Sequence, residues 1–85
     1  MELAQRFEEA VTKSKALNKK PGNDILLQLY SLYKQATEGD APDKGDYAMF
    51  DFVAKAKHDA WLKLKGLTKD AAMQQYIDLV HQLSR

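Results

Sequence analysis

Eighty-five residues make one domain near the lower end of the size that folds alone, with 45% hydrophobic and 29% charged residues. A formal net charge of +1 gives little electrostatic support to nucleic-acid binding, and no partner of that kind is expected. The absence of cysteine excludes disulfides, zinc–thiolate sites and cysteine nucleophiles.

The run from Met1 to Glu9 lacks the basic start and apolar stretch of a secretory signal. No apolar run approaches the ~18 residues of a membrane span, so a cytoplasmic protein is expected. Leu3, Phe7, Ala10, Val11 and Leu17 mark a first helix, stopped by Asn18-Lys19-Lys20-Pro21-Gly22. A second helix is predicted from Asn23 or Asp24, either of which is a suitable cap, to Gly39. Leu26, Leu29, Tyr30, Tyr33 and Ala36 form its apolar face, widened by Ile25 and Leu32.

Residues 40–50 are the longest stretch without a pattern. They carry Tyr47, Met49 and Phe50, which a polar linker does not need, so this loop is expected to pack on the bundle. Asp51 is a candidate cap for a third helix running through Val53, Ala56, Ala60, Trp61 and Leu64 to Gly66. Thr68 then caps a fourth, with Asp70 near the positive end of its dipole. Its stripe of Ala72, Met73, Tyr76, Ile77, Val80 and Leu83 reads as core, and the Tyr76 hydroxyl needs a partner if buried. The short turns near 18–22 and 66–67 favour antiparallel neighbours, while the 40–50 loop allows a crossover.

Little here suggests chemistry. His58 and His81 lie on different predicted helices without a metal-ligand motif and read as surface or edge residues. Asp40 to Asp51 has a calcium loop's length, but Pro42 and Lys44 stand where oxygen ligands belong. No nucleophile has a base and an orienter, so neither an enzyme, a metal site nor a cofactor is expected. The charge, however, is unevenly spread. From Val53 to Lys69, five lysines face Asp59 alone, while Asp40, Asp43 and Asp46 dominate the preceding loop.

Lys57 has only Val53, Ala54, Ala60 and Trp61 one turn away, and so no local counter-ion; Lys15 also lacks one. Leu27, Tyr30 and Lys34 share one flank of the second helix, with Glu38 one turn beyond Lys34. A core tyrosine with a snorkelling lysine explains that flank, as does a site for a flat, anionic ligand. Tyrosines, lysines and apolar residues together suit a ligand with a base, phosphates and a hydrocarbon tail.

Tyr30 through Asp40, Lys55-Ala56-Lys57, Asp59-Ala60-Trp61, Leu64-Lys65-Gly66, Ala72-Met73 and Tyr76-Ile77-Asp78 fall in order and spacing such that the chain resembles the acyl-CoA-binding protein family. Phe7 and the Lys20-Pro21 turn agree, and the likeness covers nearly all of residues 1–85 as a single domain. The resemblance implies an all-α, four-helix up-down-down-up bundle without catalytic activity. It implies one-to-one binding of medium- to long-chain acyl-CoA and a role as intracellular carrier and pool former. On this basis Tyr33 stacks on the adenine, Lys34 and Lys57 hold the ribose 3′-phosphate with Tyr30 nearby, and Lys15 approaches the other phosphates. Tyr76 sits at the edge of the site, and Leu26, Leu27, Ala56, Ala10 and Val11 line the acyl chain.

His58 departs from the family's usual second tryptophan, Gln28 from a common aromatic, and the Lys44–Ala48 loop from an Arg-Pro-Gly pattern. The expected partners are long-chain acyl-CoA and, transiently, acyl-CoA-using enzymes or a membrane surface, with the chain itself monomeric. The alternative is a helical adaptor that grips a partner's amphipathic helix with Leu27, Tyr30 and Trp61.

Overall fold

The structure is a computed structural model, and it describes residues 2–45 and 47–84. Asp46, one acid of the expected acidic loop, lies outside the described residues. Four helices form an all-α up-down-down-up bundle: α1 (Leu3–Lys15), α2 (Asn23–Glu38), α3 (Phe52–Leu62) and α4 (Lys69–Leu83).

The helix ends follow local chemistry. The Asp51 carboxylate accepts from Ala54 N–H at 3.0 Å and starts α3. Thr68 Oγ1 accepts from Ala71 N–H at 3.1 Å and starts α4. The α2 cap is neither Asn23 nor Asp24 but Gly22, whose extended backbone leaves Asn23 as the first helical residue and Asp24 in the first turn. Gly39 ends α2 at φ 83°, a left-handed conformation that suits glycine, with its N–H on the Gln35 carbonyl. α3 stops at Leu62, short of the predicted Gly66, and the chain turns through Leu64 and Lys65 to Gly66 at φ 92°.

Neighbours in sequence are not neighbours in space. Backbone contacts join α1 to α4, α4 to α2, and α2 to α3. Among the described residues no Cα of α1 comes within 8 Å of α2, nor any of α3 within 8 Å of α4. The short turns therefore span gaps, contrary to the expectation drawn from their length. The resulting molecule is flat, 40 × 28 × 15 Å across its Cα atoms.

Phe7 and Ala10 of α1, Leu29, Leu32 and Ala36 of α2, and Ala72, Tyr76 and Val80 of α4 make the core. Ala36 and Ala72 are almost wholly buried, and their small side chains let α2 and α4 come close. Met73, Ile77 and Leu83 pack half-buried against this cluster.

α3 is attached differently. It buries only Trp61 and His58. The Trp61 indole N–H donates to the Gly39 carbonyl at 2.8 Å. His58 is not a surface or edge residue. It is 8% exposed, and its Nε2–H donates to the Pro42 carbonyl at 2.7 Å, which assigns the tautomer because a carbonyl only accepts. Tyr47 lies half-buried beside the imidazole, with ring centroids 5.7 Å apart. The loop thus packs through Ala41, Tyr47 and His58, while Met49 and Phe50, expected to pack as well, face water.

A polar clasp closes the far end of α2. The buried Gln35 amide donates to Asp40 Oδ1 and to the Leu67 carbonyl, both at 2.8 Å. Gly66 N–H adds a second donor to Asp40 at 2.9 Å. Gly66 N–H first, then Gln35, holds the Asp40 carboxyl below its usual value. The stabilisation is present above the unfolded-state value of ~3.9 and is lost as pH falls through the lower folded value. Asp40→Asn keeps an acceptor oxygen without the charge. Thermal melts taken from about pH 6 to about pH 2 should show a shallower acid decline in this variant than in the wild type. Parallel declines would mean that other carboxylates carry the acid sensitivity.

Candidate functional site

The gap between α1 and α2 is a cavity of about 390 Å³. Val11, Ser14 and Lys15 of α1 form one wall, with Leu26, Leu29, Tyr30 and Tyr33 of α2 opposite; Pro21 and Tyr76 also line it. Its size falls in the range of about 300–1,000 Å³ common for small-molecule sites.

Three aromatic rings set the geometry. Phe7 is buried and stacks on Tyr33, with centroids 6.0 Å and planes 28° apart. It meets Tyr76 edge-on at 5.2 Å and 71°. Tyr33 is 41% exposed, so a flat aromatic face backed by the core is offered to a ligand. The Tyr76 hydroxyl donates to Ser14 Oγ at 3.0 Å, and Ser14 donates in turn to the Val11 carbonyl at 2.7 Å. Burial pushes the Tyr76 phenol up, against the Ser14 hydrogen bond. The site therefore presents a neutral, oriented hydroxyl.

The three lysines are placed differently. Lys15 lines it directly. Lys57 Nζ reaches across from α3 to lie 5.3 Å from the Tyr30 ring centroid. Lys34 Nζ pairs with Glu38 and lies 5.2 Å over the Trp61 ring. The hydrogen bond to Glu38 raises the Lys34 pKa, so this ammonium is already partnered.

Of the residues singled out from sequence, Lys15, Tyr30, Tyr33, Tyr76, Val11 and Leu26 meet at one cavity. Leu27 and Ala56 are half-buried outside its lining. Ala10 is displaced: it is a core residue on another face of α1, where it lines a cleft against α4. That cleft is larger, about 730 Å³, but Arg6, Glu8, Glu9 and Lys13 give it charges of both signs, and no Phe, Tyr or Trp lines it. The smaller cavity is the better site for a planar anion. Ser14 was missed from sequence; its only signal was the partner that a buried Tyr76 hydroxyl requires, 62 positions away. Among the described residues no three His, Asp or Glu side chains gather as metal ligands.

Fold and site together define an all-α ligand-binding bundle, its first two helices held apart above a tyrosine. The chain matches the family model described as acyl CoA binding protein over residues 4–80, and it belongs to that family. It is 49% identical to the acyl-CoA-binding protein of Dictyostelium discoideum, over 92% of each chain. It is 54% identical to enoyl-CoA delta isomerase 2 of Rattus norvegicus over 94% of its own length, but spans only 20% of that protein. The crystal structure of Oryza sativa acyl-CoA-binding protein 2 superimposes with a TM-score of 0.86 at 40% identity, covering 96% of this chain and 90% of that one.

Proposed function

We propose that the bundle binds medium- to long-chain acyl-CoA thioesters one-to-one, as a monomeric cytoplasmic carrier that sequesters the ligand without turning it over. The observation that carries this reading is the convergence of an exposed, core-backed Tyr33, the cations Lys15 and Lys57, and apolar Val11 and Leu26 around the α1–α2 cavity. Tyr33 takes the adenine face. Lys57 and Lys34 hold the 3′-phosphate beside Tyr30, and Lys15 meets the remaining phosphates. The Tyr76 hydroxyl marks the edge, and Leu26, Leu27, Val11 and Ala56 cover the tail. The reading concerns the bundle and is the same in a free-standing or a longer chain.

Magnitudes divide the work. Each buried methylene contributes ~0.8 kcal/mol, so ten supply about 8 kcal/mol before ordering costs. A charge-assisted hydrogen bond contributes ~1.5–3 kcal/mol net. Nanomolar affinity needs about 12 kcal/mol, so both tail and headgroup are required. Isothermal titration with palmitoyl-CoA below its micelle concentration, and with coenzyme A, tests this. Tight one-to-one binding of the first and much weaker binding of the second are expected; equal affinities would sink the carrier reading.

Glu38 gives a second, smaller test. A 3′-phosphate must compete with it for Lys34. Glu38→Gln should therefore tighten 3′-phosphorylated ligands by about two- to fivefold, the value of an exposed ion pair, and leave a dephospho analogue unchanged. Weaker binding of both ligands would mean that the pair serves to position Lys34. The adaptor alternative is disfavoured, because Trp61 is buried with its indole nitrogen bonded to Gly39 and cannot anchor a partner.

A further inference from the structure

Ser14 and Tyr76 form a chain of two hydroxyls that can run in one direction only. The Val11 carbonyl accepts and cannot donate, so the single Ser14 proton goes to it, at 2.7 Å. The Tyr76 proton must then go to Ser14 Oγ, 3.0 Å away. With its proton committed, the Tyr76 oxygen has only lone pairs to offer a ligand. Both residues line the α1–α2 cavity.

The other polar side chains of that cavity behave differently. Lys15 can only donate, and the Tyr30 and Tyr33 hydroxyls donate or accept according to how they turn. A phosphate oxygen is an acceptor. Set against Tyr76 it meets lone pairs, and Lys15 serves it instead. A ligand hydroxyl adapts to either polarity by rotation, so a fixed acceptor does not select it. An N–H has one polarity and is the group that a fixed acceptor selects.

We infer that Ser14 is a positioning residue that sets specificity: by taking the Tyr76 proton, it fixes that hydroxyl as an acceptor for an N–H of the coenzyme A moiety. The inference rests on the carrier reading and deepens it. The adenine 6-amino group and the pantetheine amides both supply an N–H, and the chemistry is the same for either. Without a hydroxyl at position 14, the Tyr76 proton is released, and the phenol serves donors and acceptors alike.

Calorimetric titration with palmitoyl-CoA and two analogues tests this and separates the two sources. One analogue carries hypoxanthine, whose carbonyl oxygen replaces the adenine amino group. The other carries ester oxygens in place of the pantetheine amide N–H groups. The wild type should bind at least one of them about tenfold or more weakly than palmitoyl-CoA, because a buried acceptor then lacks its donor. In Ser14→Ala that penalty should shrink to about threefold or less, since the freed phenol turns to donate. The analogue whose penalty shrinks names the N–H. Ser14→Thr keeps the hydroxyl and should keep the penalty. A residue that only supports the fold would change all three affinities together. Should Ser14→Ala not fold, Tyr76→Phe removes the acceptor itself, and the penalty must shrink there. Tight binding of palmitoyl-CoA with no such penalty, or a penalty that both Ser14→Ala and Tyr76→Phe retain, overturns the inference alone. A wild type that does not bind palmitoyl-CoA overturns the carrier reading, and the inference falls with it.

Discussion

Lys57→Ala is expected to weaken acyl-CoA binding by about 10- to 100-fold, the value of one charge-assisted hydrogen bond, and to leave a 3′-dephospho analogue nearly unaffected. The selectivity follows from where Lys57 stands. It makes no ion pair among the described residues, and its ammonium lies over Tyr30 at the rim of the cavity. Removing it deletes the charge proposed to meet the 3′-phosphate and breaks no contact within the core. Calorimetric titration of wild type and variant with palmitoyl-CoA and its dephospho form measures the difference. Equal losses for both ligands would show that Lys57 acts through its packing on Tyr30.

Trp61→Ala is expected to have the largest effect on stability, about 3–5 kcal/mol. Trp61 is the one large apolar side chain that α3 buries, and its indole bond to Gly39 ties that helix to the end of α2. The core cluster is drawn from α1, α2 and α4, so the loss should fall unevenly. Amide hydrogen exchange should speed up through α3 well before α4, as local opening of one unit requires. Trp61→Phe keeps most of the apolar volume and should lose only about 1 kcal/mol for the hydrogen bond. Uniform acceleration across all four helices in Trp61→Ala would mean that α3 is not a separable unit. Since Lys57 rides on α3, ligand affinity should fall with its detachment.

Local signals made much of this structure legible. Asp51 and Thr68 stand where a side-chain oxygen serves free backbone N–H groups, and both caps form. The period of Phe7, Leu29, Leu32, Tyr76 and Val80 identified the faces that meet. Which helices touch was not legible from turn length, because α1 and α2 splay to leave the cavity and α4 fills the space beneath. His58 looked like an edge residue because its partner, the Pro42 carbonyl, comes from an irregular loop with no period to follow. The Gln35–Asp40–Gly66 clasp was likewise hidden, since a polar residue inside a helical stripe does not say what it will bond. For the site, the tyrosines and lysines were marked by motif and missing counter-ions. Ala10 borders the α1–α4 cleft and not this cavity, because a residue within an apolar stripe can face either side of the helix that carries it.

The separation of α1 from α2 also bears on how long each copy of the protein lasts. The two helices meet through the Phe7–Tyr33 stack and no close backbone contact, so an occupant of the cleft completes the packing between them. Binding to the folded state alone adds stability by mass action, about 2.7 kcal/mol at a ligand concentration one hundred times the Kd. Bound copies should therefore open less often and resist proteolysis better than empty ones, and the stability of the carrier should rise with the supply of its ligand.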